Sequence, residues 1–331
     1  MSEKVLLKVT DLKKEYKIHR FFEKSLTVKA LRGISLELIE GETLAVVGES
    51  GCGKSTLAKV LMKIEAPTSG VAICDGKSIE DYSSKQLPTH MQMIFQDPYS
   101  SLNPRRKIEE IIAEPLVIKG GQTREEVMKK VADTAAMVGL RPELLKRYPH
   151  MLSGGQRQRV GIARALVTEP KVLICDEPVS ALDVSVQAQV LNLLLDLQQQ
   201  KKLSFLFISH DLGVVRFLAH RVAVMYLGVI VETGTAQDVF ERPAHPYTQL
   251  LLASTPHVFN GSALKTDLVK AVDNSELPSP LKPPAGCGFH TRCPYMTDIC
   301  KNQIPELRSY KNQDYENQKV ACHHAEKICG Q

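Results

Sequence analysis

The sequence predicts an α/β protein whose core is a mixed, partly parallel sheet, carrying a helical insert and followed by a small loop-rich extension bearing cysteines. Three observations predict it. Strand-like apolar runs alternate with helical patterns over the first 255 residues. A glycine-rich stretch, GESGCGKST at 48–56, lies between an apolar strand and a helix. Beyond residue 255 the composition turns to proline, glycine and cysteine.

The elements follow in order. VLLKV at 5–9 and LRGISLELI at 31–39 read as strands, the second alternating Ile34, Leu36 and Leu38 on one face. Glu40-Gly41-Glu42 turns the chain into TLAVVG, 43–48. Lys54 to Lys63 reads as a helix, and a strand pair is expected around 71–74 and 91–96. IEEIIAEPLVI, TREEVMKKVADTAAMVGL and GQRQRVGIARALV give a helical insert at about 97–165. VLIC at 172–175 and FLFIS at 205–209 are buried-type strands flanking a helix over 184–200, and VAVMYLGVIVET is a hairpin turning at Gly228. The run ELPSPLKPPAGCG places a linker near 256–280, which divides a first domain, 1–255, from an extension, 256–331.

The composition is that of a soluble chain, with 43% hydrophobic and 24% charged residues. A net charge of +5 admits an anionic partner but does not call for nucleic acid. No run approaches the roughly 18 apolar residues of a membrane span. The charged start MSEKVLLKVTDLKKEYK does not read as a secretory signal. A cytosolic chain with eight cysteines is expected to keep them as buried, reactive or metal-bound thiols rather than disulfides.

GESGCGKST fits G-x4-G-K-[ST]. Gly48, Gly51 and Gly53 leave the backbone N–H groups of Ser50, Cys52 and their neighbours free to turn inward on a phosphate. Lys54 can reach the β- and γ-phosphates of ATP, Ser55 can ligate Mg²⁺, and Thr56 opens the helix whose N-terminus attracts anions. VLICDE then supplies Asp176 for the Mg²⁺ shell and Glu177 to polarise an attacking water.

With LSGGQRQRVGIARAL at 152–166, the chain resembles the nucleotide-binding domain of ATP-binding cassette (ABC) proteins. The resemblance extends in order to Gln96 in IFQDP, to SALD at 180–183 with Asp183, and to His210 in ISHD. Tyr16 stands where the family stacks an aromatic on adenine, with Phe21 and Phe22 close by as alternatives. It implies that Ser153, Gly154, Gly155 and Gln156 meet the γ-phosphate of ATP held by an opposite subunit. It also implies that Gln96 senses Mg²⁺ or water, and that His210 contacts the γ-phosphate.

Finer resemblance, over FQDPYSSLNPRRKIEEIIAEPL, RPAHPYTQLLLASTP and the tail through VACHHAE, is to ATP-binding subunits of bacterial dipeptide and oligopeptide permeases. That family implies a related ATPase partner in a heterodimer, two integral membrane permease subunits and an extracytoplasmic peptide-binding protein. It places the chain as a peripheral protein on the cytoplasmic face of the inner membrane, with the insert from Tyr99 to Ile108 facing the membrane subunits. Alternatives are a soluble ABC-type ATPase acting on nucleic acid or ribosomes, or an importer of a solute such as nickel. The interval between loop and signature is too short for a chromosome-type coiled coil.

Cys287, Cys293, Cys300 and Cys322 are spaced C-x5-C-x6-C-x21-C, unlike paired C-x2-C zinc modules. Soft thiolates suit zinc or an iron–sulfur cluster, and spacing leaves both open. The permease resemblance implies a [4Fe–4S] cluster. Cys329 falls outside that pattern, His290, His323 and His324 read as neighbours rather than ligands, and Cys52 and Cys175 read as small packing residues.

Overall fold

A computed structural model describes residues 4–20, 23–255, 278–279, 281, 283–309 and 318–329. The linker expected over 256–280 lies outside the described residues save for 278–279, as do Phe21 and Phe22.

Two sheets pack through an apolar core. The smaller is antiparallel and contains β1 (Val5–Arg20), β2 (Glu23–Ile39), β4 (Ser69–Cys74) and β5 (Lys77–Ser78), in the order β2-β1-β4-β5. Only the apolar ends of its long β1–β2 hairpin were legible as strands. The outer part, through Tyr16 paired with Val28 and Ile18 paired with Leu26, carries charged residues that mask the alternation.

The larger sheet is built on β3 (Thr43–Val47), β6 (Met91–Ile94), β7 (Val172–Asp176), β8 (Ser204–Ser209), β9 (Arg221–Tyr226) and β10 (Val229–Thr235). β3 pairs in parallel with β8 and β9, and β7 pairs in parallel with β8 and β6. Every residue of β3, β7 and β8 is buried, as expected for parallel strands covered on both faces. The expected pairing of 71–74 with 91–96 is not formed: β4 lies in the small sheet, and β6 edges the large one beside β7. Local pattern identifies a strand but does not select its sheet.

The helices are α1 (Lys54–Leu61), α2 (Ile108–Lys119), α3 (Arg124–Met137), α4 (Gly154–Leu166), α5 (Val184–Lys201), α6 (Leu212–Leu218), α7 (Ala236–Glu241) and α8 (Pro246–Ala253). The insert, α2 to α4, buries Ile108, Ile112, Val131, Val160 and Ile162 against one another. Its longest helix is the 14-residue α3, so no coiled coil separates loop from signature. No described helix is long and apolar enough to cross a membrane.

The extension is less detached than expected. Its two short strands, β11 (Arg308–Ser309) and β12 (Lys319–Val320), continue the large sheet in the order β11-β12-β10, with Val320 opposite Glu232. Glu232 is fully buried and accepts from the Ala244 N–H (2.7 Å), the His245 N–H (2.9 Å) and Gln318 Nε2 (2.5 Å). Burial pushes its carboxyl up to about 7, opposed by those donors. One carboxyl thus ties β10, the start of α8 and the returning C-terminal strand together.

Candidate active site

The carboxyl ends of four parallel strands open on one side of the large sheet, where ligands of open α/β sheets bind. β3 feeds the loop 48–53, β6 feeds Gln96, β7 ends at Asp176 and Glu177, and β8 leads to His210. They border a cavity of about 630 Å³. It is lined by Tyr16, the loop from Ser50 through Thr56, Gln96, Glu177 and His210. Sequence reasoning missed Val28, Lys29 and Ala30 of β2, the Leu227–Gly228 turn and Pro283 of the extension, which also line it. No motif marks them.

The loop's glycines are required by space as well as by torsion. Gly48 has φ +155, and a Cβ there would come within 2.1 Å of the Met225 carbonyl oxygen. Cys52 lies buried beneath the loop and its carbonyl accepts from the Gly228 N–H at 2.9 Å, so the β9–β10 turn supports the loop from below. Desolvation raises the Cys52 thiol, with the Lys54 charge opposing, so it is a packing residue as expected. Lys54 is buried, and its Nζ donates to the carbonyls of Gly48 (2.7 Å) and Glu49 (3.1 Å). The ammonium is thereby held against the loop, next to the start of α1, where helix N–H groups attract anions.

Asp176 and Ser55 meet at this loop, with Ser55 Oγ donating to Asp176 Oδ1 at 3.2 Å. Burial pushes the Asp176 carboxyl up, while the Ser55 bond and the charge of Lys54 oppose the rise. A hydroxyl beside a desolvated carboxylate suits a hard cation, and these two residues would hold Mg²⁺. Burial also pushes Cys175, one residue earlier on β7, far above its ordinary range, which leaves it an inert packing thiol.

Glu177 has φ +48, a left-handed backbone that side-chain-bearing residues rarely adopt. Its N–H donates to the Ile208 carbonyl at 2.9 Å, which binds the turn after β7 to β8. The side chain is held at both oxygens: Gln96 Nε2 donates to Oε2 at 2.8 Å, and His210 Nδ1 lies 3.0 Å from Oε1. The next residue, Asp211, caps α6, its Oδ1 accepting from the N–H groups of Gly213 (2.8 Å) and Val214 (3.2 Å). A carboxylate gripped from two sides at the mouth of an anion site is positioned to orient or deprotonate a water.

Tyr16 borders the same cavity from β1, its hydroxyl donating to the Glu65 carboxylate. Burial and that partner raise its pKa further above its ordinary value.

Ser153, Gly154, Gly155, Gln156 and Asp183 do not line this cavity. Ser153 is exposed and caps α4: its Oγ accepts from the Gln156 N–H at 3.4 Å, while Gln156 Oε1 accepts from the Ser153 N–H at 3.1 Å. Gly155 has a reason beyond phosphate approach, since a Cβ there would come within 2.5 Å of Val186 Cγ1 on α5. Asp183, exposed, precedes α5. Ser153 and Asp183 are thus both exposed, at the starts of α4 and α5.

The expected cysteine module is not formed as a ligand set. Cys287 and Cys293 pack against the cluster containing Tyr226 and Phe289, whereas Cys322 packs beside Ala244, Val320 and Ala325. Cys300 is buried, its carbonyl accepting from the Cys287 N–H at 2.8 Å. Among the described residues no group of three or more His, Cys, Asp or Glu side chains is arranged to hold a metal ion. Their segments nonetheless lie close: Cys300 Sγ is 3.7 Å from Thr297 Oγ1, which is 2.8 Å from His324 Nε2, and the His324 N–H donates to Cys322 Sγ at 3.4 Å. Cys329 is described by its backbone alone.

Sheet topology and loop geometry define a P-loop nucleotide triphosphatase, and similarity to known proteins narrows the class. Residues 31–180 match the ABC transporter family, and residues 231–300 match the family described as oligopeptide/dipeptide transporter, C-terminal region. The di/tripeptide transport ATP-binding protein DppF of Pseudomonas aeruginosa is 51% identical over 98% of this chain and 99% of its own. The oligopeptide transport ATP-binding protein AppF of Bacillus subtilis is 46% identical over 97% and 98%. A solved dimeric ATP-binding cassette, bound to ADP and Pi in a post-hydrolysis state, aligns with a TM-score of 0.61 and 28% identity. That alignment spans 70% of this chain and 99% of the other. The chain belongs to the ABC transporter family, among its ATP-binding subunits, and it hydrolyses ATP.

Proposed function

We propose that the chain is the ATP-hydrolysing motor of a bacterial importer that takes up dipeptides and oligopeptides through partner membrane subunits. The observation that carries the motor reading is the grip of Gln96 and His210 on Glu177 beside the Lys54 loop. The substrate class is supported by the relatives, which are transport ATP-binding proteins for di-, tri- and oligopeptides.

In this reading ATP lies with its adenine against Tyr16 and its phosphates on the 48–56 loop. Lys54 neutralises the β- and γ-phosphates, and backbone N–H groups hold their oxygens. Ser55 and Asp176 hold Mg²⁺, which when bound offsets the charge of those phosphates. Glu177 aims the attacking water, Gln96 fixes that carboxylate and links it to the insert, and His210 contacts the γ-phosphate. No covalent intermediate forms; positioning and electrostatics do the chemistry.

Ser153, Gly154, Gly155 and Gln156 complete the site of a second ATPase subunit, a related chain in a heterodimer, with Asp183 at the seam. The solved relative that is a dimer bound to ADP and Pi supports such a sandwich. ATP drives closure only by the difference in its affinity for closed and open pairs, and loss of the bridging γ-phosphate permits reopening. Residues 1–255 form the nucleotide-binding domain, with its insert facing two integral permease subunits. The extension is 256–331, and its described strands β11 and β12 continue the large sheet. The chain then sits peripherally on the cytoplasmic side of the membrane, served indirectly by a peptide-binding protein.

Reconstituted with its membrane subunits and peptide-binding protein, the complex should accumulate di- or oligopeptide only with hydrolysable ATP. Uptake of nickel with indifference to peptides would contradict the assignment.

The finer reading of Cys287, Cys293, Cys300 and Cys322 as ligands of a [4Fe–4S] cluster rests on the permease resemblance, with zinc the alternative that soft thiolates also suit. Burial, with smaller contributions from Cys322, Cys287 and Cys300, pushes the Cys293 thiol up to about 12, so the four lie within electrostatic reach of one another. They do not fit a cluster as placed, and no step of ATP use passes through one. Protein purified without oxygen should be brown and contain iron and acid-labile sulfide in equal amounts. Colourless protein with stoichiometric zinc would reverse the metal, and metal-free protein would remove it.

A further inference from the structure

We infer that Arg292 is a positioning residue for ATP, a strap by which the C-terminal extension holds the phosphate loop in its anion-binding shape. The inference rests on reading 48–56 as that loop. Arg292 Nη1 donates to both carboxylate oxygens of Glu49, at 3.2 and 3.1 Å, and Nη2 donates to Oε1 at 3.2 Å. The pair is well shielded: the Arg292 side chain is 8% exposed and that of Glu49 25%.

Glu49 is the second residue of the loop and is held at three other points. Its N–H donates to the Tyr247 hydroxyl at 2.8 Å, and its carbonyl accepts from Lys54 Nζ at 3.1 Å and from the Cys52 N–H at 3.3 Å. A side-chain anchor on Glu49 therefore acts directly on the residue that steers Lys54. The anchor is itself rigid. Arg292 closes a short turn, His290–Arg292, preceded by Phe289, whose ring lies 5.5 Å from that of Tyr226 and 5.6 Å from that of Tyr247. Phe289 is buried, so aromatic packing seats the turn against the same tyrosine that holds the Glu49 N–H.

Charge acts alongside this geometry. A loop that gathers a triphosphate carries a carboxylate at its second position. Unpaired in a partly desolvated site, that carboxylate would oppose the incoming phosphates. The bidentate guanidinium both neutralises it and fixes its orientation, which a lysine would do less well. The extension thus becomes part of the nucleotide site without touching the reacting atoms.

ATP titrations of the full-length chain, with kcat and KM for ATP measured on the assembled transporter, test this. Arg292→Ala should weaken ATP binding and raise KM about tenfold, with kcat little changed. Arg292→Lys should fall between that variant and the parent. Adding Glu49→Gln to Arg292→Ala should recover part of the lost affinity, because the unpaired carboxylate is gone; melting temperatures read alongside separate a gain in affinity from a gain in stability. If Arg292→Ala does not fold, Arg292→Lys alone and with Glu49→Gln carries the same comparison. Unchanged affinity in the Arg292 variants, or a loss that Glu49→Gln fails to relieve, overturns the strap. Lys54→Ala separates the two readings. If it abolishes ATP binding while Arg292 variants do nothing, only the strap fails; if it too leaves binding unaltered, the loop assignment fails with it.

Discussion

Replacing Glu177 by glutamine is expected to leave ATP binding close to that of the parent while steady-state hydrolysis falls roughly 100- to 10,000-fold, the range over which a positioned general base contributes. The substitution changes one atom and one charge. Binding persists because the phosphate contacts come from the loop and from Lys54, which Glu177 does not touch among its hydrogen bonds. The side chain keeps its volume and its left-handed backbone, so the turn after β7 is preserved. What changes is basicity and the pattern of acceptors. The carboxylate accepts from Gln96 at one oxygen and lies within hydrogen-bond reach of His210 at the other, whereas an amide offers one oxygen and presents an N–H₂ to the remaining partner. Water is then neither aimed nor deprotonated. Nucleotide titration alongside steady-state hydrolysis by the complex checks both halves; parental turnover would remove Glu177 from its assigned role.

Ser153→Asp is expected to lower hydrolysis by the assembled pair about 100-fold, the scale of losing one oxyanion donor, without unfolding the chain. Aspartate caps helices about as well as serine, so the N-terminus of α4 should stay intact and the melting temperature should move little. The same carboxylate would face the partner's γ-phosphate if the chains close as proposed. Its repulsion would hold the pair open while ATP binding to the chain's own loop continues. A subunit for which the α4 N-terminus is only a capped helix end would hydrolyse ATP as before. Thermal melting and ATP titration of the isolated chain, set beside turnover of the complex, separate these outcomes.

The residues that border the cavity were legible because the chemistry read from them restricts residue type. Only glycine meets the demands at Gly48, and a strand ending in Asp176 and Glu177 is meaningful once a phosphate loop is in hand. The sequence also conveyed the central strands, whose complete burial requires unbroken apolar runs. It could not convey that Glu177 is held by Gln96 and His210, since those contacts join separate strand ends. The outer hairpin of β1 and β2 was hidden by charged residues, and the 71–74 and 91–96 strands were joined wrongly because neighbouring strands in sequence here enter different sheets.

The extension was the least legible part. β11 and β12 are two residues each, too short to show alternation, and their place is set by Glu232, Gln318 and Val320 through long-range contacts. Cysteine spacing left zinc and an iron–sulfur cluster open, and among the described residues no three such side chains are arranged to hold a metal ion. Arg292 carries no motif at all; its partner lies 243 positions away.

The central claim is that one magnesium triphosphate is shared between the loop of one chain and the capped N-terminus of α4 in another. A structure of the assembled transporter, trapped with Mg-ATP by Glu177→Gln, measures it directly. The account predicts Ser153 Oγ within about 3 Å of a γ-phosphate oxygen carried by the partner's loop. Ser153 remote from every γ-phosphate in a nucleotide-filled pair would contradict it.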